Sequence, residues 1–165
     1  TEEIWNYQQV ALGYNYRLTD IHAALGLSQM ARIDEFVSRR REIAKRYDEL
    51  FDELPIVCPW QHPKTQSSYH LYPIRVPSKD GGVAQREIYD ALRAAGIGVN
   101  LHYIPVYLQP YYEALGFSLG YCPEAERYFR ETLSIPIFPG LTAEDQDHIV
   151  SSIRNALCRL HDAFK

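Results

Sequence analysis

The chain has 165 residues, which is enough for one domain or one and a half. Its hydrophobic fraction of 46% and charged fraction of 23% are those of an ordinary folded protein. The net charge of -4 leaves no basic surplus, which weighs against nucleic acid as a partner. No apolar run reaches the roughly 18 residues of a membrane span, so we expect no membrane partner.

The chain has three cysteines: Cys58, Cys122 and Cys158. An odd number without CxxC spacing indicates neither a zinc site nor a disulfide framework, and it favours a reducing compartment such as the cytoplasm. The histidines also lack metal-like spacing, so the sequence predicts no metal site. The first ten residues do not resemble a signal peptide, and a start at Thr1 leads us to expect a piece of a longer protein.

The first feature along the chain is a polar, aromatic loop over residues 12–19 that leads into a helix. Thr19 is a favourable N-cap, and Asp20 suits the first turn. Just before them, the amide of Asn15 and the guanidinium of Arg17 suit an anionic ligand such as phosphate. A plain surface loop, in which Asn15 caps a turn and Arg17 pairs with a carboxylate, explains the same residues.

Helical spacing of apolar residues predicts a helix over 19–31 and continues over 33–54. The two segments form either separate helices or one bent helix of up to about 35 residues, about 50 Å long. A helix of that length needs support from more than one side, so it is expected to link two domains or lie in an interface. We interpret the arginine run 39–41 as a solvated face that pairs with Glu35 and nearby acids. Pro55 is expected to end the helix.

The remaining residues alternate between strand and helix patterns. Strands are predicted over 68–76, 97–103 and 133–137, and helices over 83–95 and 123–132. A last helix follows the capping-box pair Thr142 and Asp145, and a single helical turn is expected over 111–115. The order is therefore helix–helix–β–α–β–α–β–α, a mixture of helix and sheet.

His102 is a candidate functional residue because it follows a predicted strand and precedes Tyr103 and Pro105. It is either a pocket group at the end of a sheet strand or a half-buried histidine bonded to the backbone. The residues alone leave both interpretations open.

Three separated segments resemble one family in the right order: GYNYRLTDIHAALGLSQM, GIGVNLHYIPVYLQPYYEALGF and LSIPIFPGLTAEDQDHIV. They resemble the DegT/DnrJ/EryC1/StrS family of pyridoxal phosphate (PLP)-dependent sugar-nucleotide aminotransferases, and the resemblance covers nearly the whole chain. They look most like the branch that aminates a UDP-linked 4-keto sugar on the way to pseudaminic acid. The resemblance implies transfer of an amino group, with glutamate as donor, to C4 of a nucleotide-linked 4-keto-6-deoxy sugar.

The resemblance also implies a fold and a domain organisation. The expected class is α/β (α+β two-layer), with long linking helices and a small, mostly antiparallel sheet on which helices pack. This is the small C-terminal domain of a fold-type I aminotransferase. Residues 1–31 would be a remnant of the large PLP domain with its linking helix, and residues 32–165 the small domain.

In this family, the lysine that holds PLP as a Schiff base precedes the GYNYR segment. The chain offers only Lys45, Lys64, Lys79 and Lys165, none of which follows a predicted core strand. The resemblance therefore implies that the catalytic lysine lies upstream of Thr1, and that this chain by itself is inactive.

The resemblance assigns binding roles to five residues. Asn15 matches an asparagine that reaches across a homodimer to the PLP phosphate of the partner subunit, and Arg17 would lie near it. Tyr14, His102 and Tyr103 would contact the nucleotide-sugar substrate. The chain departs from the family at Tyr107, where a second histidine is frequent. A competing hypothesis from the residues alone is a non-catalytic module that dimerises through its long helix.

Overall fold

The computed structural model describes residues 13–14, 16–77 and 83–163. Within these residues the elements are α1 (Asp20–Met30), α2 (Ile33–Phe51), β1 (Tyr72–Arg75), α3 (Val83–Ala94), a 3₁₀ turn (Val106–Leu108), α4 (Pro110–Glu113), α5 (Pro123–Glu131), β2 (Thr132–Ile135) and α6 (Ala143–Ala163). The chain divides into two units between Ile33 and Asp34. The assignment of the first unit to a larger PLP domain stays a prediction.

Helix α1 begins as its sequence predicts. The Thr19 hydroxyl accepts a hydrogen bond from the backbone N–H of His22 at 3.3 Å and lies 2.9 Å from its Nδ1. Asp20 lies in the first turn, at the positive end of the helix dipole. No residue of α1 is buried, and its large apolar side chains lie all round the helix rather than on one stripe.

Helices α1 and α2 are separate, because the chain makes a turn at Ala31 and Arg32. Helix α2 ends at Phe51, where a tight turn begins with a Leu54 N–H···O Phe51 hydrogen bond of 2.9 Å. The predicted stop at Pro55 is therefore confirmed to within one turn. The buried residues of α2 recur every three or four positions: Ile43, Ala44, Tyr47 and Phe51.

The sheet has two antiparallel strands, with Tyr72 opposite Ile135 and Arg75 opposite Thr132. Single bridges extend it on both sides, from Val57 to Arg75 and from Asn100 to Ser134. Arg75 exchanges both of its backbone hydrogen bonds with Val57. Since alternate residues of a strand point their backbone groups the same way, the N–H that proline lacks at position 73 would face away from β2. Proline is therefore accommodated in this strand.

The prediction of a strand over 97–103 is wrong. Only Asn100 pairs with β2, through bonds of 3.2 and 2.9 Å to the backbone of Ser134. The N–H of Leu101, which in a strand would point away from β2, bonds to the side-chain oxygen of Asn100 at 3.2 Å. The sheet edge therefore gains a single residue pair and not a strand.

One hydrophobic core joins the sheet to the helices of the second unit. Its members come from α2, α3, α6 and both strands, and the largest fully buried ones are Tyr47, Tyr72, Phe51, Ile43, Ile74, Ile88, Leu92, Leu133 and Ile153. The ring of Tyr47 on α2 lies 5.1 Å from that of Tyr72 on β1. The buried Gln146 of α6 donates to the carbonyl oxygen of Ile43 at 3.0 Å. The predicted α+β two-layer class is thus confirmed.

The interpretation of the arginine run as a solvated face that pairs with nearby acids is only partly right. Nη1 of Arg39 pairs with Oε2 of Glu42 at 3.0 Å, but the other contacts of the run are made to backbone carbonyls. Nη1 of Arg40 donates to the carbonyl oxygens of Tyr69 at 2.9 Å and Ile137 at 2.8 Å. Nε of Arg41 donates to the carbonyl of Ser67 at 2.9 Å, and Nη2 of Arg39 to that of Leu141 at 2.9 Å. All three side chains are half-buried, because their length lets them reach loops that the helix spacing alone does not reveal.

Several helices begin or end at the capping residues that the sequence predicts. Gly96 adopts φ +77°, a left-handed conformation that glycine accepts without a side-chain clash, and it ends α3. Thr142 and Asp145 form the reciprocal capping box at the start of α6, with bonds of 3.0 and 3.1 Å. Pro110 and Pro123 each occupy the first turn of their helix.

Among the described helices, none combines the length and apolarity that crossing a membrane requires.

Candidate functional site

A groove of about 450 Å³ lies beside the Asn100 edge of the sheet. The loop before β1, the end of α3, the bridge segment and the end of β2 all contribute to it. Its lining is His70, Leu71, Arg93, Gly98, Val99, Asn100, His102, Ser134, Ile135, Pro136, Ile137 and Phe138. The polar groups among them are a guanidinium, two imidazoles, an amide and a hydroxyl, and among the described residues no carboxylate lines the groove.

His102 is half-buried in this lining, and its Nδ1 lies 2.8 Å from Oγ of Ser134. Ser134 is only 5% exposed, so its hydroxyl proton needs an acceptor within the protein. The imidazole Nδ1 is the acceptor at hand, which leaves the ring proton on Nε2 as a donor. Of the two sequence interpretations, the structure supports a pocket position, with a side-chain partner rather than a backbone one.

The other predicted site residues lie at the surface. Tyr103 is 69% exposed, and its ring centroid lies 4.5 Å from that of His102, edge to face. Tyr14 and Arg17 are exposed, and the ring of Tyr14 lies 5.5 Å from that of Tyr16. Asn15 lies outside the described residues. The structure therefore brings His102 and Tyr103 together in the second unit and places Tyr14 and Arg17 in the first.

Tyr107, where the chain departs from the family pattern, is already engaged within its own loop. Its hydroxyl lies 2.6 Å from Oε1 of Glu126 and 3.1 Å from the carbonyl oxygen of Cys122. The N–H of Gly120 donates to the same carboxylate oxygen at 2.6 Å. Burial and the bond to Glu126 raise the pKa of Tyr107 to about 12, and the Tyr107 bond lowers the pKa of Glu126. Tyr107 thus holds the loop before α5, a role that sequence reasoning missed.

A second polar cluster, built on the buried Tyr72, lies between α2 and β1. The Tyr72 hydroxyl donates to Oδ1 of Asp48 at 2.5 Å. Partial burial raises the pKa of Asp48 and of the nearby Cys58 thiol, and burial also raises the pKa of Tyr72. No sequence motif marked these residues, because they are brought together only when β1 packs on α2.

The described lysines do not fit covalent attachment of a cofactor. Lys45 has an 80% exposed side chain and lies 4.0 Å from Glu49, its ion-pair partner one helical turn away. Lys64 is exposed in a turn. Lys79 and Lys165 lie outside the described residues. Within the part of the chain that the structure describes, no group of three or more His, Cys, Asp or Glu could hold a metal ion.

Comparison with known proteins shows which family this chain is similar to. The sequence profile of the DegT/DnrJ/EryC1/StrS aminotransferase family matches residues 2–154. The chain is 36% identical to the spore coat polysaccharide biosynthesis protein SpsC of Bacillus subtilis (strain 168) over 154 residues, which are 92% of this chain and 40% of SpsC.

Solved structures of aminotransferases also superpose on this chain. The apo-form of Spr1654 from Streptococcus pneumoniae, described as a sugar aminotransferase, superposes with a TM-score of 0.88 at 32% identity, over 98% of this chain and 41% of that one. PMP and PLP forms of Spr1654 match as well. PseC of Helicobacter pylori, an aminotransferase involved in the biosynthesis of pseudoaminic acid, superposes with a TM-score of 0.79 at 29% identity, over 94% of this chain and 42% of PseC.

The fold is that of the small C-terminal domain of a fold-type I aminotransferase, together with the helices that lead into it. The chain belongs to the DegT/DnrJ/EryC1/StrS aminotransferase family. It spans about 40% of the length of the relatives that it matches.

Proposed function

We propose that this chain is the C-terminal part of a PLP-dependent aminotransferase. The enzyme transfers an amino group from glutamate to C4 of a nucleotide-linked 4-keto-6-deoxy sugar, in the cytoplasm, for a surface polysaccharide or glycan. The superposition on Spr1654 over 98% of the chain carries this proposal, since that protein occurs in both PLP and PMP forms. The similarity to SpsC favours polysaccharide synthesis, and the similarity to PseC favours a pseudaminic acid sugar.

Pyridoxal phosphate, when bound, supplies the electron sink that allows an amino group to move between donor and acceptor. The exposed Lys45 and Lys64 do not fit its attachment, so we assign the attachment lysine to the part of the enzyme that this chain does not span. By itself the chain is then inactive. The role of its own residues is to bind and orient the cofactor phosphate and the nucleotide sugar.

The exposed loop before α1 suits a phosphate group. Arg17 brings a guanidinium close to the positive end of the α1 dipole, where an anion is favoured. We assign Asn15 and Arg17 to the PLP phosphate bound by the partner subunit of a homodimer. We assign Tyr14 to the nucleotide sugar, together with the adjacent pair His102 and Tyr103, because phenol and imidazole groups hydrogen-bond sugar hydroxyls.

Helix α1 supports an assembly larger than this chain. Ile21 is 81% exposed, Leu27 74% and Met30 59%, on different sides of the helix. A helix that is apolar all round is normally covered on more than one side. Both a dimer of the full enzyme and a non-catalytic dimerisation module account for these side chains, so the second function is retained as the alternative.

The test is a visible absorption spectrum of the purified chain mixed with PLP, with and without the N-terminal region of SpsC. We expect the band of lysine-bound PLP only when that region is added, and faster cofactor loss on dialysis for Asn15→Ala. A matched control is Asn155→Ala, an exposed asparagine of α6, which should retain the cofactor. A band from the chain alone would contradict the proposed lysine assignment. Absence of a band in both mixtures would favour the dimerisation module.

A further inference from the structure

We infer that the groove lined by Arg93, Asn100 and His102 binds the oxyanion, carboxylate or phosphate, of a small ligand. All of the charged and polar side chains that line it can donate hydrogen bonds, and in the part of the chain that the structure describes no lining carboxylate would repel an anion. Its volume of about 450 Å³ is that of a small-molecule pocket. The apolar part of the lining, which includes Leu71 and Ile137, suits the uncharged body of such a ligand.

Arg93 is available to an anion. It lies in the last turn of α3, and within the described residues no ion pair or hydrogen bond occupies its guanidinium. The acid one turn earlier, Asp90, already pairs with Arg86 at 2.8 Å. A guanidinium binds carboxylate or phosphate through two parallel hydrogen bonds, which makes Arg93 the group that supplies both charge and orientation.

Asn100 and His102 supply neutral donors beside it. The side-chain oxygen of Asn100 accepts from the Leu101 N–H at 3.2 Å, so its NH₂ group remains to donate. The Ser134 hydroxyl occupies Nδ1 of His102 at 2.8 Å, so the free ring nitrogen carries the proton. Asn100 is fixed by its backbone bridge to Ser134, and His102 by its hydrogen bond with the Ser134 hydroxyl, so the donors are held in place before a ligand arrives.

The inference shares His102 with the proposed function, but its test involves no amino transfer, so either can fail without the other. The isotope-labelled chain is titrated separately with inorganic phosphate, glutamate and UDP at constant ionic strength. The readout is the NMR signals of the Arg93 guanidinium, the Asn100 amide and the His102 ring. We expect saturable shifts of these signals, and the tighter of the two organic ligands identifies whether the anion is a carboxylate or a phosphate.

Arg93→Gln is expected to weaken binding about tenfold, because a charged hydrogen-bond donor is lost. The matched control is Arg154→Gln, which removes the same charge from an exposed position of α6 outside the groove and should leave the affinity within about twofold. Arg93→Lys should recover part of the affinity. Equal losses in Arg93→Gln and Arg154→Gln, or no saturable shift with any of the three ligands, would overturn the inference.

Discussion

The hydrogen bonds of Arg40 lead to the most specific stability prediction. One nitrogen, Nη1, donates to two carbonyl oxygens at 2.8 and 2.9 Å, one in the loop before β1 and one after β2. A third carbonyl, that of His70, lies at 3.3 Å. Arg40→Ala would leave these half-buried carbonyls without their charged donor. Hydrogen bonds to charged groups contribute about 1.5–3 kcal/mol each. Because water can reach part of this site, we expect a total loss of about 2–3 kcal/mol.

The assay is urea unfolding followed by circular dichroism. A loss of this size should lower the urea midpoint by about 1–2 M for a chain with a typical dependence on denaturant. Lys45→Ala is the matched control, since Lys45 lies on the same helix with an 80% exposed side chain and should cost less than about 0.5 kcal/mol. Arg40→Lys should recover part of the loss, because a single nitrogen makes both short bonds. If Arg40→Ala cost no more than Lys45→Ala, the carbonyl contacts would not stabilise the fold.

Two further predictions concern carboxylates that are shielded from water to different extents. Burial raises the pKa of Asp48 above its ordinary 3.8, so the folded state holds the proton more tightly; this contribution to stability is present at low pH and is lost as the pH rises through the raised pKa. Asp48→Asn keeps an acceptor for Tyr72, and it should stabilise the protein more at pH 7 than at pH 4 in urea unfolding; an equal effect at both would contradict the reasoning. Glu131, with a 10% exposed side chain, pairs with Arg75 at 2.5 Å, and Glu131→Gln should cost about 2 kcal/mol. The exposed Glu124 of the same helix provides the control, since Glu124→Gln should cost under about 0.5 kcal/mol in the same assay; equal costs would refute the effect of burial.

The sequence predicted those features of the fold that local interactions decide. The N-cap Thr19, the capping box of Thr142 with Asp145 and the left-handed Gly96 each act within four residues of their own position, so their patterns are visible in the chain. The helices α3, α5 and α6 follow from periodicity for the same reason. The strand expected over 97–103 is not present because only Asn100 of that segment pairs with β2, and tertiary packing, which alternation does not encode, decides which residues meet a neighbouring strand.

The candidate site was only partly predictable. His102 was marked by its position and by the family resemblance, and the structure gives it a pocket position. Arg93 carries no signal in the sequence, because an arginine in the last turn of an amphipathic helix is common on any surface. The engagement of Tyr107 by Glu126, 19 residues later, likewise follows no spacing rule.

The sequence by itself determined the family, the mixed α+β class, the helices and their caps, since each depends on motifs or on contacts within a few turns. The tertiary structure alone decided which distant groups the other polar side chains contact. Arg40 reaches a carbonyl 97 residues away, and His102 reaches a hydroxyl 32 residues away. Such partners meet only when the sheet and helices enclose one core, because packing, and not proximity along the chain, selects which donor faces which acceptor.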